Sequence, residues 1–426
     1  MAQTLKFGNG TWATKKGSTL AYNDEDGNFK PLPFTYTGAG KGTRVNKEGL
    51  IEVVENDRPR IDYTDSEDGV FLLEKAATNL ITYSEDFSNS YWQKVRTTVS
   101  SNQSISPDGT LNADKLIENN SFDTHLMWSQ NISISVGDVI TWSVFAKKGE
   151  RNFIFLRDTS AGSFTSWFDL ENGIVGTKSG VLENKIEDYG NGWYRCSITY
   201  TSTTTVARGR IYTAIADFQE PYQGDGVSGV YIYGAMLEQN SVASSYIPTQ
   251  GNPQTRVQET ASGSGNSEVF NDSQGVLFAN IAANDNDSSE RFLSLSNGSS
   301  TNRISLWYYS ATNGLAVAIY SSNVTQFFTT TVLPKDTLYS KISVKYKQND
   351  FSLWVNGFEI ATDTSGNTPI GLSELSFDRG DGALDFYGKT KEISYYDEIL
   401  TDTELEYMTS YRSLSEMLKE LNLKAL

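Results

Sequence analysis

The chain has 426 residues, 38% of them hydrophobic and 12% aromatic, and a formal net charge of −17. That length predicts two or three domains of roughly 100–200 residues each, and that acidity excludes a phosphate-backbone ligand, which needs a basic surface to release counterions. A single cysteine, Cys196, and a single histidine, His125, exclude an intrachain disulfide framework, a zinc ribbon and any triad not built on that histidine.

In chain order, the opening MAQTLKFGNGTWATKKGS lacks the apolar stretch of a signal peptide. No run of about 18 apolar residues follows it. The expectation is a protein made in a host cytoplasm that does not insert into membrane. Residues 1–85 are dense in Gly, Asp, Lys and Asn, with short apolar pieces such as 50-LIEVV-54 and 70-VFLLE-74. They predict an extended arm that docks on something larger.

From about 86 to 250 the pattern is one of strands. In 139-VITWSVFAKK-148, Ile140, Trp142, Val144 and Ala146 alternate with mostly polar neighbours, as a half-buried strand requires. In 193-WYRCSITY-200, Tyr194, Cys196, Ile198 and Tyr200 take the inward face and Arg195, Ser197 and Thr199 the outward one, so Cys196 reads as an apolar filler. The segment 230-VYIYGAML-237 closes the domain, and 245-SYIPTQGNPQTR-256 reads as a shaped joint, its prolines barring helix and its Tyr246 and Ile247 acting as anchors.

A second strand series runs from about 257 to 400. Its clearest piece, 340-SKISVKYKQNDFSLWVNGFEIA-361, predicts a meander with Asn356-Gly357 at a tight type I′ turn. Residues 401–426 predict the one helical stretch. They hold two capping boxes, Thr401 with Glu404 and Ser413 with Glu416, and an apolar stripe of Leu405, Met408, Tyr411, Leu414, Leu418 and Leu421. The stripe would pack on its own sandwich or on another chain. The fold class is therefore all-β: two β-sandwich (jelly-roll) domains, an extended N-terminal arm and a short C-terminal helical tail.

Several stretches together resemble a family of bacteriophage virion proteins of the fibre and receptor-binding type. They are 43-TRVNKEGLIEVV-54, 58-RPRIDY-63, 72-LLEKAATNLITYSEDFSNSYW-92, 107-PDGTLNADKL-116, 190-GNGWYRCS-197, 235-AMLEQ-239 and 245-SYIPTQGNPQTR-256. Ala76-Ala77 departs from the family pattern, which has a basic residue ahead of TNL. The second half is similar to laminin-G or concanavalin A-like sandwiches through 353-LWVNGFEI-360, Gly388, Ile393, Tyr396 and 400-LTDTEL-405. The resemblance implies a non-enzymatic virion protein, a homotrimer, whose arm contacts other virion proteins and whose sandwiches contact host-surface polysaccharide. A capsid decoration protein with no ligand and a polysaccharide depolymerase are the alternatives.

Sugar binding needs aromatic planes flanked by hydrogen-bonding groups. Strand alternation places Trp167 with Thr165 and Asp169, Trp307 and Tyr309 with Ser305, and Trp354 with Ser352, each away from its strand's apolar face. Trp167, Trp307, Tyr309 and Trp354 are the candidates for glycan or partner contact. The acidic stretches 284-NDND-287, 224-GDG-226 and 378-DRGDGALD-385 suit either calcium or surface turns, which leaves metal binding open. No catalytic residue and no cofactor are expected: His125 in DTHLMW has no catalytic setting, and none of the 52 acidic residues sits in a glycosidase motif.

Overall fold

The computed structural model describes residues 5–10, 12–14, 20–23, 29–30, 34–311 and 314–420. The described chain is all-β apart from two short helices, Asp402–Thr409 and Leu414–Glu420. It divides into two compact units. One comprises Met1–Ala39, Glu55–Lys75 and Gln258–Leu426; the other comprises Gly40–Val54 and Ala76–Val257.

The first unit is a β-sandwich. Its larger sheet has eight strands, with Gln274–Ala283 between Ser340–Lys347 and Gly388–Tyr396. Its smaller sheet orders Val324–Val332, Gly314–Ser321, Arg303–Tyr309, Arg291–Ser296 and Glu374–Ser376. Between them lie Leu277, Leu293, Leu306, Val317, Ile342, Leu353 and Ile393, all fully buried. The meander forms as the alternation predicts, through Asp350–Val355 and Phe358–Asp363, with Asn356 and Gly357 both at positive φ (51° and 88°).

Apolar pieces of residues 1–85 dock on the larger sheet of this unit. Leu5–Gly8 pairs with Gly388–Tyr396, and so does Val70–Leu73, which in turn pairs with Arg60–Asp62. All four residues of Val70–Leu73 are buried. Pieces this apolar gain more by completing a sheet than by staying solvated. The same unit holds a buried ionic cluster: Arg60 donates through Nε to Glu259 (2.7 Å) and through Nη2 to Glu74 (2.8 Å), and Tyr36 donates to Glu259 (2.6 Å).

The second unit is also a β-sandwich, of two six-stranded sheets. Trp92, Trp142, Val144, Ile154, Phe168, Cys196, Ile198 and Ile232 fill the space between them. Val139–Lys148 pairs with both Trp193–Thr201 and Gly229–Glu238. Arg195 departs from its expected outward, solvated position. It lies outside the core but is buried, donating to the Ser244 carbonyl (2.6 Å) and to Ser143 Oγ (3.1 Å).

What covers it is the stretch after Glu238. Tyr246 is buried and donates to Glu85 (2.9 Å), Thr249 N–H donates to Ser84 Oγ (2.8 Å), and Arg256 donates to Ser245 Oγ (3.0 Å). Ser245–Arg256 is thus an integral strap of this unit.

At the C-terminus, Thr401 and Glu404 form the expected capping box, and the Glu416 N–H donates to Ser413 Oγ (3.0 Å). Leu405 and Met408 pack with Trp354, Val276, Tyr396 and Leu400 of their own unit. Of the rest of the predicted stripe, Tyr411 and Leu418 are half-buried, with Lys341 over the Tyr411 ring (5.6 Å), Leu414 is exposed, and Leu421 lies outside the described residues.

Carboxylates in this protein are held in two ways. Burial pushes the Asp114 carboxyl up to about 6, against opposing N–H bonds from Asn102 and Phe87. In the first unit burial opposes ionisation of Asp65 and Asp287, but Lys389 outweighs it for Asp65 and Lys75 with Arg291 for Asp287, so both titrate below the usual range. A raised carboxyl contributes stability as pH falls from its folded towards its unfolded value, whereas a depressed one loses its contribution as pH falls from its unfolded towards its folded value. Wild type should therefore gain melting temperature relative to Asp114→Asn between about pH 7 and pH 5, then lose stability below about pH 4 as Asp65 and Asp287 protonate. A difference between the two proteins that stays flat from pH 7 to 5 contradicts the role given to Asp114.

Candidate functional site

Strand alternation placed the four candidate aromatics on the correct faces, but those faces are covered. Trp167 is 2% exposed. It stacks on Phe155 (4.8 Å), which stacks on Tyr212 (4.1 Å), and the Arg157 guanidinium lies over the set, tied to Glu220 (3.0 Å). Phe218, in the segment after Ala214, closes over Trp167 at 5.4 Å. Trp307 is 6% exposed, stacked on Phe292 (4.7 Å) with the half-buried Tyr309 at its edge (6.1 Å). Trp354 is 7% exposed beneath helix Asp402–Thr409. Only Trp307 and Tyr309 come together, and none of the three tryptophans presents an open ring plane. That is a correction to the exposed-plane reading.

The acidic stretches are occupied by the protein itself. Asp285 and Asp287 pair with Arg291, and Asp225 accepts the N–H groups of Val227 (2.9 Å) and Ser228 (2.7 Å). Asp378 accepts the Gly380 N–H, and Arg379 folds onto Asp381 (2.7 Å). Among the described residues no group of three or more His, Cys, Asp or Glu could hold a metal ion. His125 is buried, against Tyr222 at 4.7 Å, with Nδ1 3.0 Å from the Arg96 carbonyl.

A concave site lies elsewhere, within the second unit. A cavity of about 410 Å³ opens among Leu50, Ser104, Ile105, Pro107, Lys147, Tyr189, Asn191 and Trp193. Three turns shape it. Gly190, Asn191 and Gly192 all have positive φ (76°, 52° and 79°), a run that β-branched side chains would resist, and the Trp193 N–H closes it onto the Gly190 carbonyl (2.9 Å). Asp108 organises the Ser106–Thr110 turn by accepting from Ser106 Oγ (2.6 Å) and the Thr110 N–H (2.7 Å). Any side chain at Gly109 would meet Leu50, since a Cβ there would stand 2.9 Å from Leu50 Cδ1.

The third turn, between Thr43–Val45 and Ile51–Val53, is fixed to the second by the Ile51 N–H on the Pro107 carbonyl (2.9 Å). The walls are held from behind. Trp193 Nε1 donates to the Ile105 carbonyl (2.9 Å), and Tyr189 stands edge-on to Phe145 (4.8 Å). The buried Arg195 guanidinium lies over Phe145 in turn (5.5 Å).

Sequence reasoning passed over this site because its walls come from four separated stretches. The signal was nonetheless present: 43-TRVNKEGL-50, 107-PDG-109 and 190-GNGW-193 are three of the stretches that carry the virion-protein resemblance, and they meet here. The volume lies in the lower part of the roughly 300–1,000 Å³ range of small-molecule pockets. Among the described residues the lining combines aromatic edges, hydroxyl and amide groups and one amine, with no Asp or Glu.

No family model and no curated protein matches the chain. Among solved structures it is similar to the Ruminococcus gnavus IT-sialidase CBM40, at 17% identity over 35% of this chain and 94% of that one, with a TM-score of 0.30. The NanB sialidase of Streptococcus pneumoniae is similar at 16% identity over 34% of this chain and 26% of that one, with a TM-score of 0.30. A heptameric SAP-like pentraxin from Limulus polyphemus is similar at 10% identity over 33% and 71%, with a TM-score of 0.26. At these values the likenesses are partial, and the site stands on this chain's own residues.

Proposed function

We propose that this chain is a non-catalytic virion protein of the fibre or adhesin type that holds a sugar of a host-surface glycan in the pocket of its second unit. The observation that carries the reading is the pocket itself, with its fixed turns, aromatic edges from Tyr189 and Trp193, and polar groups on Ser104 and Asn191. Apolar edges with a few convergent hydrogen-bonding groups suit the alternating C–H and hydroxyl surface of a pyranose. A glycosidase places two carboxylates about 5–10 Å apart across the bond it cleaves, and this lining contains none. The virion setting and the homotrimer rest on the motif resemblance. Repetition on several chains would turn a weak site into useful avidity.

The test uses the full chain and a variant, Ser104→Trp, whose larger side chain fills the cavity. Wild type should bind host cells and extracted surface polysaccharide, and Ser104→Trp should lose both while melting at the wild-type temperature. Equal binding by the two proteins removes the pocket from the reading. Absence of any binding favours a ligand-free decoration protein, and falling polysaccharide viscosity favours a depolymerase.

A further inference from the structure

Among the described residues the pocket has one formal charge, and it is positive. Lys147 extends from strand Val139–Lys148 opposite Trp193, and its stem passes over Gly192, where a Cβ would stand 3.6 Å from Lys147 Cε. The strand on its other side places Tyr231 opposite it. In a chain with 52 acidic residues against 35 basic ones, a lysine readily finds a carboxylate. Lys115, Lys148, Lys345, Lys389 and Lys391 all do. Lys147, half-buried, has neither an ion pair nor a hydrogen bond to its ammonium among the described residues.

We infer that the pocket takes a carboxylated sugar, a pyranose of the uronic- or sialic-acid type, with its carboxylate on the Lys147 ammonium. This rests on the glycan reading above and names the class of sugar. An anion approaching this protein meets the field of a net charge of −17, so selection for an acidic ligand has to be local, from a cation with no internal partner to satisfy. Lys147 is such a cation, and no carboxylate lines the cavity to compete with the ligand for it or to repel the ligand. Asn191 and Ser104 then face the ring hydroxyls, and the edges of Tyr189 and Trp193 face its C–H groups. A neutral sugar would use the same wall and leave the ammonium to solvent. The charge therefore sets preference, and the walls set the requirement for a sugar.

Titration calorimetry or saturation-transfer NMR on the full chain tests this with three probes: methyl β-D-glucuronide, the neutral methyl β-D-glucoside, and cyclohexanecarboxylate, which keeps the charge and ring size but has no hydroxyls. N-Acetylneuraminic acid extends the acidic arm. An acid sugar should bind at least about tenfold tighter than the glucoside, as a charge-assisted hydrogen bond implies. Lys147→Met should bring glucuronide and glucoside to equal affinity on that variant, and Lys147→Arg should retain the preference. The inference is overturned if Lys147→Met keeps the preference, if glucoside and glucuronide bind wild type alike, or if cyclohexanecarboxylate binds as well as the glucuronide. Binding of glucoside without any acid preference leaves the pocket as a sugar site and removes only the charge argument. Failure of every sugar on wild type removes both.

Discussion

Arg60→Met should lower the melting temperature of the first unit by roughly 6–20 °C, the counterpart of about 3–5 kcal/mol in a unit of this size. Arg60 is fully enclosed between two carboxylates, Glu259 with no side-chain exposure and Glu74 with 9%. Glu259 is committed further. It accepts the Tyr36 hydroxyl (2.6 Å) and the Glu74 N–H (2.9 Å), and burial with its charge drives the Tyr36 hydroxyl far above the usual phenol range, keeping it a donor. Methionine matches the arginine stem in apolar bulk but removes the cation that these two buried carboxylates share. Adding Glu259→Met to Arg60→Met should recover part of the loss, because an apolar replacement of a whole buried pair costs less than half a pair. Calorimetry decides it: a single variant melting within about 2 °C of wild type rules out the cluster as a stabilising element.

Asn79→Ala should cost the second unit about 3–5 kcal/mol from the loss of one small amide. Asn79 is completely buried, and its side chain serves four backbone groups. It donates to the carbonyls of Ala235 (3.0 Å) and Ile247 (2.8 Å), and it accepts from the N–H groups of Ile81 (3.1 Å) and Leu237 (3.2 Å). It thereby ties strand Gly229–Glu238 to the strap around Tyr246. Alanine leaves those groups unpaired away from water. Asn79→Asp should be at least as damaging, since it keeps the acceptor, loses both donors and adds a buried charge. Hydrogen exchange in Val139–Lys148 is the readout, and protection unchanged to within about 1 kcal/mol in the alanine variant contradicts the assignment.

Much of the fold was legible because alternation is a local property. Ile140, Trp142 and Val144, the inward Cys196, and the Asn356-Gly357 turn are each set by neighbours a few residues away. What alternation cannot encode is the partner on the far side of a face. Trp167 points outward from its strand as expected, yet Phe218 and Arg157 lie over it; Trp354 does the same beneath Leu405 and Met408. Arg195 reads as an outward-facing charge and Arg60 falls in a stretch read as an arm, and both are buried beside groups distant in sequence. The pocket escaped for a related reason. Its turns were visible as motifs, but their convergence depends on the Ile51–Pro107 and Trp193–Ile105 hydrogen bonds, which only the folded chain brings about.

The strand Leu5–Gly8 carries a consequence for synthesis. Its partner, Gly388–Tyr396, leaves the ribosome long after it, so at about 5–20 residues per second the first strand waits some tens of seconds for it. Meanwhile Gly40–Val54 and Ala76–Val257 have all emerged, and the second unit can close as an insert within an unfinished host. The first unit is then completed last, from segments on either side of that insert. Leu5, Phe7, Phe71 and Leu73 stay uncovered until that moment. A nascent chain that stalls or is cut before Gly388 should present an intact second unit and an adhesive, unpaired amino terminus, and it is this late step that chaperones would have to guard.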